Sequence, residues 1–153
     1  MKNKKWKIKG LKDDTPLSDA SRIVLRQKLN HVVKSIKIYF NNNTPENLHS
    51  LRISLRRLRY NLEIFISCFD EKKILLFYHQ VETLQDCTGN LRDLDVLLEN
   101  IILNTDRSYD DKISLLKETI GIKKKTLFEE LRSSLTEFLY GKNIKEFKKM
   151  VHR

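Results

Sequence analysis

A chain of 153 residues with 40% hydrophobic and 33% charged side chains is long enough for one domain with a buried core, and its four glycines and two prolines disfavour loop-rich and β-rich folds. It has no apolar run of the roughly 18 residues that a membrane span needs and no apolar leader at its start, so we expect no membrane partner. The formal charge of +10 lies entirely in residues 1–69, which hold 15 basic and 5 acidic side chains, and a field of this kind attracts polyanions.

Residues 1–16 are predicted to form a basic N-terminal arm. Its first part, KNKKWKIKG, contains Trp6, which would act as a packing anchor. This part is either a frayed tail or an arm that adds charge to a bound polyanion. The residues after it, DDTP, supply turn and cap material for a helix that follows.

The first helix is predicted from near Ser18 to the asparagines at 41–43, because apolar residues recur there every three or four positions. Arg22, Arg26 and Lys37 lie along one flank of this helix. Its apolar positions are Leu17, Val24, Leu25, Leu29, Val32, Ile36 and Tyr39.

The second helix is predicted to have Thr44 as its N-cap and Pro45 as its first residue. We expect it to continue to Phe69, because its apolar residues fall on one arc of roughly 100° when placed at about 100° per residue. This arc, a predicted buried seam, comprises Leu48, Leu51, Leu55, Leu58, Leu62, Phe65, Ile66 and Phe69.

A stripe of basic side chains lies immediately beside this seam on the same helix. The basic stripe consists of His49, Arg52, Arg56 and Arg59. Glu63 follows Arg59 by one turn and can hold it in place. One interpretation is a solvated helix face, but a stripe that adjoins the seam should line a groove between helices. The planar guanidinium of arginine can form paired hydrogen bonds with phosphate or carboxylate oxygens. Arg57, on a different face of the helix, is a candidate for an outer contact.

The third helix is predicted over about residues 70–104, with Gly89 in its interior. A glycine there indicates that a neighbouring helix passes close or that the helix bends. Arg92 either pairs with Asp95, three residues later, or reaches the same ligand as the basic stripe. The apolar period is carried by Phe77, Val81, Leu84, Leu91, Leu98 and Ile102.

The fourth helix is predicted to begin near Asp110 or Asp111, after a turn at 104–108, and to end at Gly141. Lys124 lies on its basic flank. Its seam comprises Ile113, Leu116, Ile120, Leu127, Leu131, Leu135 and Phe138. Residues 141–153 are a basic tail with a helical apolar period. The sequence thus predicts an all-α protein: an antiparallel four-helix bundle over 17–140 with a short C-terminal helical tail.

A metal centre is the least favoured kind of site. A group of acidic and histidine side chains shares one face of the third helix, but no second helix offers a matching Glu-x-x-His. That group comprises His79, Glu82, Asp86 and Asp93. Cys68 and Cys87 show neither metal spacing nor a paired base, and no glycine-rich phosphate loop occurs. We therefore expect no enzyme, no cofactor and no metal, in a reduced cytoplasmic setting.

Nucleic acid is the serious alternative ligand, since the charge would suffice for binding its backbone. Base recognition, however, usually shows as a recognition helix or as stacking aromatics. Tyr60 is the only aromatic residue close to the basic stripe. From the residues alone, the chain is predicted to be a helical bundle that binds polyanions.

Two segments of the chain resemble a known family. The segment LHSLRISLRRLRYNLEIF, at residues 48–65, is similar to the signature helix of the CHAD family, the histidine α-helical domain. The segment LQDCTGNLRDLDVLLENI, at 84–101, is similar to the family's second pattern, Leu-Gly-x-x-Arg-Asp-x-Asp-Val, with Thr88 where Leu is usual. The opening WKIKGL and the later LSDASRIVLRQKL are also similar to the start of the family.

The resemblance implies an all-helical module that binds inorganic polyphosphate on basic surfaces and has no established catalytic activity. Polyphosphate thereby becomes the leading ligand, with a targeting or scaffold role and association with polyphosphate granules. The central binding residues are then the four of the basic stripe, with Arg57 as an outer contact. The flanking candidates are Arg22, Arg26, Arg92 and Lys124.

The resemblance also bears on oligomeric state. The family usually carries two four-helix bundles in one chain, whereas this sequence has one copy of each motif. A homodimer would restore two facing stripes by twofold symmetry, the commonest oligomer geometry. Because like-charged faces repel, we expect a weak dimer or a monomer that pairs when polyphosphate is added. The apolar candidates for its contacts are Ile53, Ile64 and Phe147.

Overall fold

The computed structural model describes residues 8–104 and 110–152 of the chain. Helices account for most of this part, and no strand occurs within it, so the predicted all-α fold is confirmed. The elements are α1 (Leu17–Asn41), α2 (Pro45–Phe65), a short 3₁₀ helix (Ile66–Cys68), α3 (Glu71–Leu103), α4 (Asp110–Tyr140) and α5 (Lys142–His152). Trp6 and most of the turn expected at 104–108 lie outside the described residues.

The start of α2 follows the prediction. Thr44 precedes it with extended backbone, and its Oγ1 accepts a hydrogen bond from the backbone N–H of Asn47 at 3.2 Å. Pro45 occupies the first turn, where a missing N–H costs nothing. Asp70 caps α3 in the same way, since its Oδ1 accepts from the N–H of Lys73 at 3.0 Å.

The predicted continuation of this helix to Phe69 is wrong. The α-helix ends at Phe65, and a single 3₁₀ turn leads to Phe69, whose backbone is extended. Here the chain must reverse direction to bring α3 back alongside α2. The apolar period persists through the reversal because Phe65, Ile66 and Phe69 still pack against the core.

Consecutive long helices pack side by side, α1 on α2, α2 on α3 and α3 on α4. Short connections make neighbouring helices antiparallel. At one level α1 also meets α4, where the rings of Tyr39 and Phe128 lie edge to face with centroids 6.3 Å apart. The five leucines of the α2 seam within the helix are at most 2% exposed.

The C-terminal tail belongs to this core. Helix α5 packs against α1, α3 and α4, and its residues Ile144, Phe147 and Val151 are buried. The ring of Phe147 stacks on that of Phe77 with centroids 3.9 Å apart and planes 6° apart. Phe147 is therefore removed from the candidate dimer contacts, because its side chain is fully enclosed by its own chain. Ile53 is half-buried, and Ile64 remains 69% exposed.

Helices α3 and α4 have 33 and 31 residues, whereas α2 has 21. The ends of α3 and α4 therefore extend beyond the shorter helices, where no other described helix covers their apolar side chains. Ile102 and Leu116, predicted as seam residues, are 64% and 45% exposed. The described helices include none that is long and apolar enough to cross a membrane.

Candidate functional site

The buried leucines of α2 fix where the basic stripe points. Two contacts show that this flank faces α3: Arg52 lies beside Gly89, and Glu63 is hydrogen-bonded to Tyr78. The stripe therefore adjoins a groove between two helices, as the sequence indicates. Within it, His49 and Arg56 are exposed, whereas Arg52 and Arg59 are half-buried.

Arg52 is held closest to α3. A Cβ placed on Gly89 would stand 3.6 Å from Arg52 Nε. The guanidinium of Arg52 therefore lies against the surface of α3 at this glycine. Arg52 Nε is buried and finds no hydrogen-bond partner among the described residues. Such a donor is costly to leave unpaired, and an incoming oxyanion is a natural acceptor for this guanidinium.

Arg59 is held by Glu63, as its spacing indicates. Arg59 Nε lies 3.4 Å from Glu63 Oε1, and the same oxygen accepts a hydrogen bond from the Tyr78 hydroxyl at 2.9 Å. This hydrogen bond to the carboxylate is the main cause of a raised pKa for Tyr78. Arg59 also lies over the ring of Tyr60, 5.5 Å from its centroid. Arg59 is thus held by Glu63 and Tyr60, and its side chain is only 21% exposed.

The register of α2 against α3 places Arg92 near the end of the stripe. Arg52 and Glu63 are separated along α2 by as many residues as their partners, Gly89 and Tyr78, are along α3. Both contacts therefore belong to one antiparallel register of the two helices. In that register His49 is level with Arg92. Along the helix axis, Arg92 is therefore at the His49 end of the basic stripe.

Of the two alternatives for Arg92, the pairing with Asp95 is not the one that the structure shows. Arg92 Nη1 pairs instead with Glu99 at 3.6 Å, because Asp95 points inward and is 5% exposed. Asp95 pairs with Lys124 of α4 at 2.5 Å. Burial, and secondly the charge of Asp95, raise the pKa of Tyr39 to about 12. Lys124 therefore joins α4 to α3 at a pocket of about 280 Å³, which Leu48 of α2 also lines.

Arg22 and Arg26, the two candidates on α1, do not lie at the stripe. Arg22 pairs with Asp19 at 3.2 Å near the start of the helix. Lys28 faces α2, and at about 100° per residue Arg22 and Arg26 lie about 120° and 160° away from it. Both arginines therefore lie on a flank of α1 that does not face α2.

A second basic surface was missed by sequence reasoning. On its other flank α2 meets α1 in a groove of about 310 Å³, here called the α1–α2 groove. Its polar lining includes Lys28, His31, Lys34, Ser50, Ser54 and Arg57. The signal was present as basic residues three apart on α1, but only packing shows which flank of α1 meets α2. Arg57 lies here, about 140° around the helix from Arg52.

Metal binding and cysteine chemistry concern other side chains of the protein. Within residues 8–104 and 110–152, no three His, Cys, Asp or Glu side chains converge in a way that could hold a metal ion. Cys68 and Cys87 are free and half-buried. Burial raises the pKa of the Cys87 thiol, which keeps it protonated and a poor nucleophile.

Comparison with known proteins agrees with the motifs on α2 and α3. A family model described as the CHAD domain matches residues 3–102 and residues 24–151. No curated protein and no solved structure matches the chain. The two matched ranges overlap, and together they extend over nearly the whole sequence, from before α1 to one residue short of the end of α5. The chain belongs to the CHAD family.

Proposed function

We propose that this protein binds inorganic polyphosphate along the basic stripe of α2 and acts as a non-catalytic targeting or scaffold module. CHAD domains are associated with polyphosphate binding in general, and they are binding modules more often than catalysts. The observation that carries the proposal is the row of one imidazole and three guanidinium groups on a helix whose adjoining leucine seam is fully buried.

The spacing of the stripe suits a ligand made only of phosphate. Arg52, Arg56 and Arg59 follow one another by about one turn, roughly 5 Å. An extended polyphosphate chain presents oxyanions at shorter intervals. Successive guanidinium groups can therefore contact every phosphate or every second phosphate of the chain. Because the leucine seam fixes the helix, little order has to be created on binding, and this favours affinity.

Exposed Arg56 and His49 are the natural first contacts for such a chain. Half-buried Arg52 offers a guanidinium whose Nε has no described partner, and Arg92 extends the row at the His49 end. Arg59 is shared with Glu63, so its contribution to binding should be smaller. We therefore place the centre of binding on Arg52 and Arg56.

One observation favours nucleic acid as a second candidate. Tyr60 is 48% exposed and stands beside Arg59, which is an arrangement on which a base could stack. A polyphosphate chain needs no stacking platform. The two ligands therefore differ in their dependence on Tyr60, and Tyr60→Ala should weaken only nucleic-acid binding.

The same proposal extends to cellular setting and assembly. We propose a cytoplasmic protein that associates with polyphosphate granules through its ligand. We also propose that two copies pair weakly, or only when polyphosphate is present, since one stripe contacts a long chain from one side only. Ile64 is an exposed apolar residue of α2 on which such a contact could form.

Titration against polyphosphate, DNA and RNA at equal phosphate concentration and equal salt tests the proposal. We expect polyphosphate to bind most tightly, with affinity falling as salt rises because counterions are released. Light scattering during the titration would report pairing. Equal competition by DNA, together with a loss of DNA binding in Tyr60→Ala, would favour nucleic acid instead.

A further inference from the structure

The α1–α2 groove differs from the basic stripe in its charge balance. Within the stripe, Arg59 is paired with the carboxylate of Glu63, and near its other end Arg92 is paired with that of Glu99. The groove, in contrast, has no Asp or Glu among the described residues that line it. The sequence explains this, because no acidic residue occurs between Asp19 and Glu46 of the chain.

The basic side chains of the groove converge from two helices. Lys28, His31 and Lys34 succeed one another by three residues on α1, and Arg57 faces them from α2. Lys28 to Lys34 spans about 9 Å along the helix axis. Like charges held this close repel one another, and a multiply charged anion between them would relieve that repulsion.

The hydroxyls of the groove are not equivalent. Ser54 Oγ donates its proton to the carbonyl of Leu51 at 2.8 Å, so it cannot donate to a bound anion at the same time. Ser50 is exposed and presents a hydroxyl on the same wall. A fully ionised phosphate needs donors only, and lysine, arginine, an imidazole N–H and Ser50 provide them.

We propose that the α1–α2 groove is a second binding site, for a short run of linked phosphate groups, and that it works separately from the basic stripe. Its volume is at the low end of the range for small-molecule sites, which suits a compact ligand better than a folded polymer. The ligand is either a free short phosphate chain or one segment of a long chain. The site goes beyond the function proposed above and does not require it.

Imidazole signals in an NMR titration distinguish the two sites within one sample. The chain has four histidines, of which His31 lies in the groove and His49 in the stripe. His79, paired with Glu82 on α3, serves as a reference. The probes are sodium tripolyphosphate in one arm and long-chain polyphosphate in the other, each added to the full chain.

The variant that tests the groove is Lys28→Gln with Arg57→Gln, and Lys117→Gln with Arg132→Gln on α4 is its control. The control removes the same charge from exposed positions. In the wild type and the control, we expect the imidazole signal of His31 to shift and to saturate as the probe is added. In the groove variant, the affinity measured from this signal should fall by about tenfold or more. A shift with tripolyphosphate would identify a free short chain as a ligand, and a shift only with long chains would identify a segment.

The proposal is overturned if His31 does not respond to either probe, or if it responds equally in the groove variant and the control. These outcomes are independent of His49, which reports on the stripe. A response of His49 without His31 would leave the proposed function in place and remove only the second site.

Discussion

Arg52 of α2 lies over Gly89 of α3, with 3.6 Å between its Nε and the position that a Cβ on the glycine would occupy. The guanidinium of the candidate ligand site thus rests on the backbone of the neighbouring helix. This contact joins the two motifs through which the chain resembles its family, since one motif supplies the arginine and the other supplies the glycine.

Replacing Gly89 by Ala should stabilise the fold. A distance of 3.6 Å is an ordinary van der Waals contact, and alanine is favoured over glycine inside a helix by about 1 kcal/mol. We expect urea denaturation to show a gain of up to about 1 kcal/mol. Gly89→Leu is the contrasting variant: its side chain should displace Arg52 and weaken polyphosphate binding. Unchanged affinity in Gly89→Leu would show that the position of Arg52 does not matter.

The pair of Asp95 and Lys124 should matter for stability more than for ligand affinity. Lys124→Met would leave the nearly buried carboxylate without its cation, at a cost of about 1–3 kcal/mol. Lys125→Met, at the exposed neighbouring position, is the control and should change stability little. Chemical denaturation measures both. If polyphosphate affinity fell more in Lys124→Met than in the control, Lys124 would be a ligand contact after all.

Stability should decline at alkaline pH because of Tyr39. Its pKa is about 12 in the folded protein, against 10.0 for an ordinary tyrosine, so between these values the unfolded chain loses a proton that the folded chain keeps. The free energy of unfolding should therefore fall as pH rises from about 10 to about 12. In Tyr39→Phe this part of the decline should be absent, whereas Tyr60→Phe should retain it. Identical pH profiles for the wild type and Tyr39→Phe would contradict the assignment.

Phe147 should be essential to the core although it belongs to the last helix. Truncating a fully buried phenylalanine to alanine costs about 3–5 kcal/mol, and here it also removes the stack on Phe77. Tyr140→Ala, at a position 71% exposed, is the matched control and should cost less than about 1 kcal/mol. Thermal unfolding compares them. A small effect of Phe147→Ala would mean that α5 does not pack as described.

Local signals in the sequence were sufficient for the starts of the four long helices and for the position of the stripe on α2. Thr44 and Pro45 mark the start of α2 through capping chemistry that acts within one turn. The leucine period fixes which side of α2 is buried, and the stripe follows from helix geometry alone. Arg59 and Glu63 are also one turn apart, so their pairing is a local property.

Features that depend on packing between elements could not be predicted. The exposure of Ile102 and Leu116 follows from the relative lengths of four helices. The partner of Arg92 depends on Asp95 turning inward to Lys124, which lies on another helix. The α1–α2 groove needed the knowledge that the flank carrying Lys28, not the one carrying Arg26, meets α2.

The most direct test of the account is the affinity of Arg52→Glu with Arg56→Glu for long-chain polyphosphate, measured by isothermal titration calorimetry. The control, Lys123→Glu with Arg132→Glu, makes the same charge change at exposed positions on α4. We predict that the stripe variant binds about 100-fold more weakly than the control while its circular dichroism remains helical. Equal affinity of the two variants, both folded, would contradict the assignment of the ligand to the basic stripe.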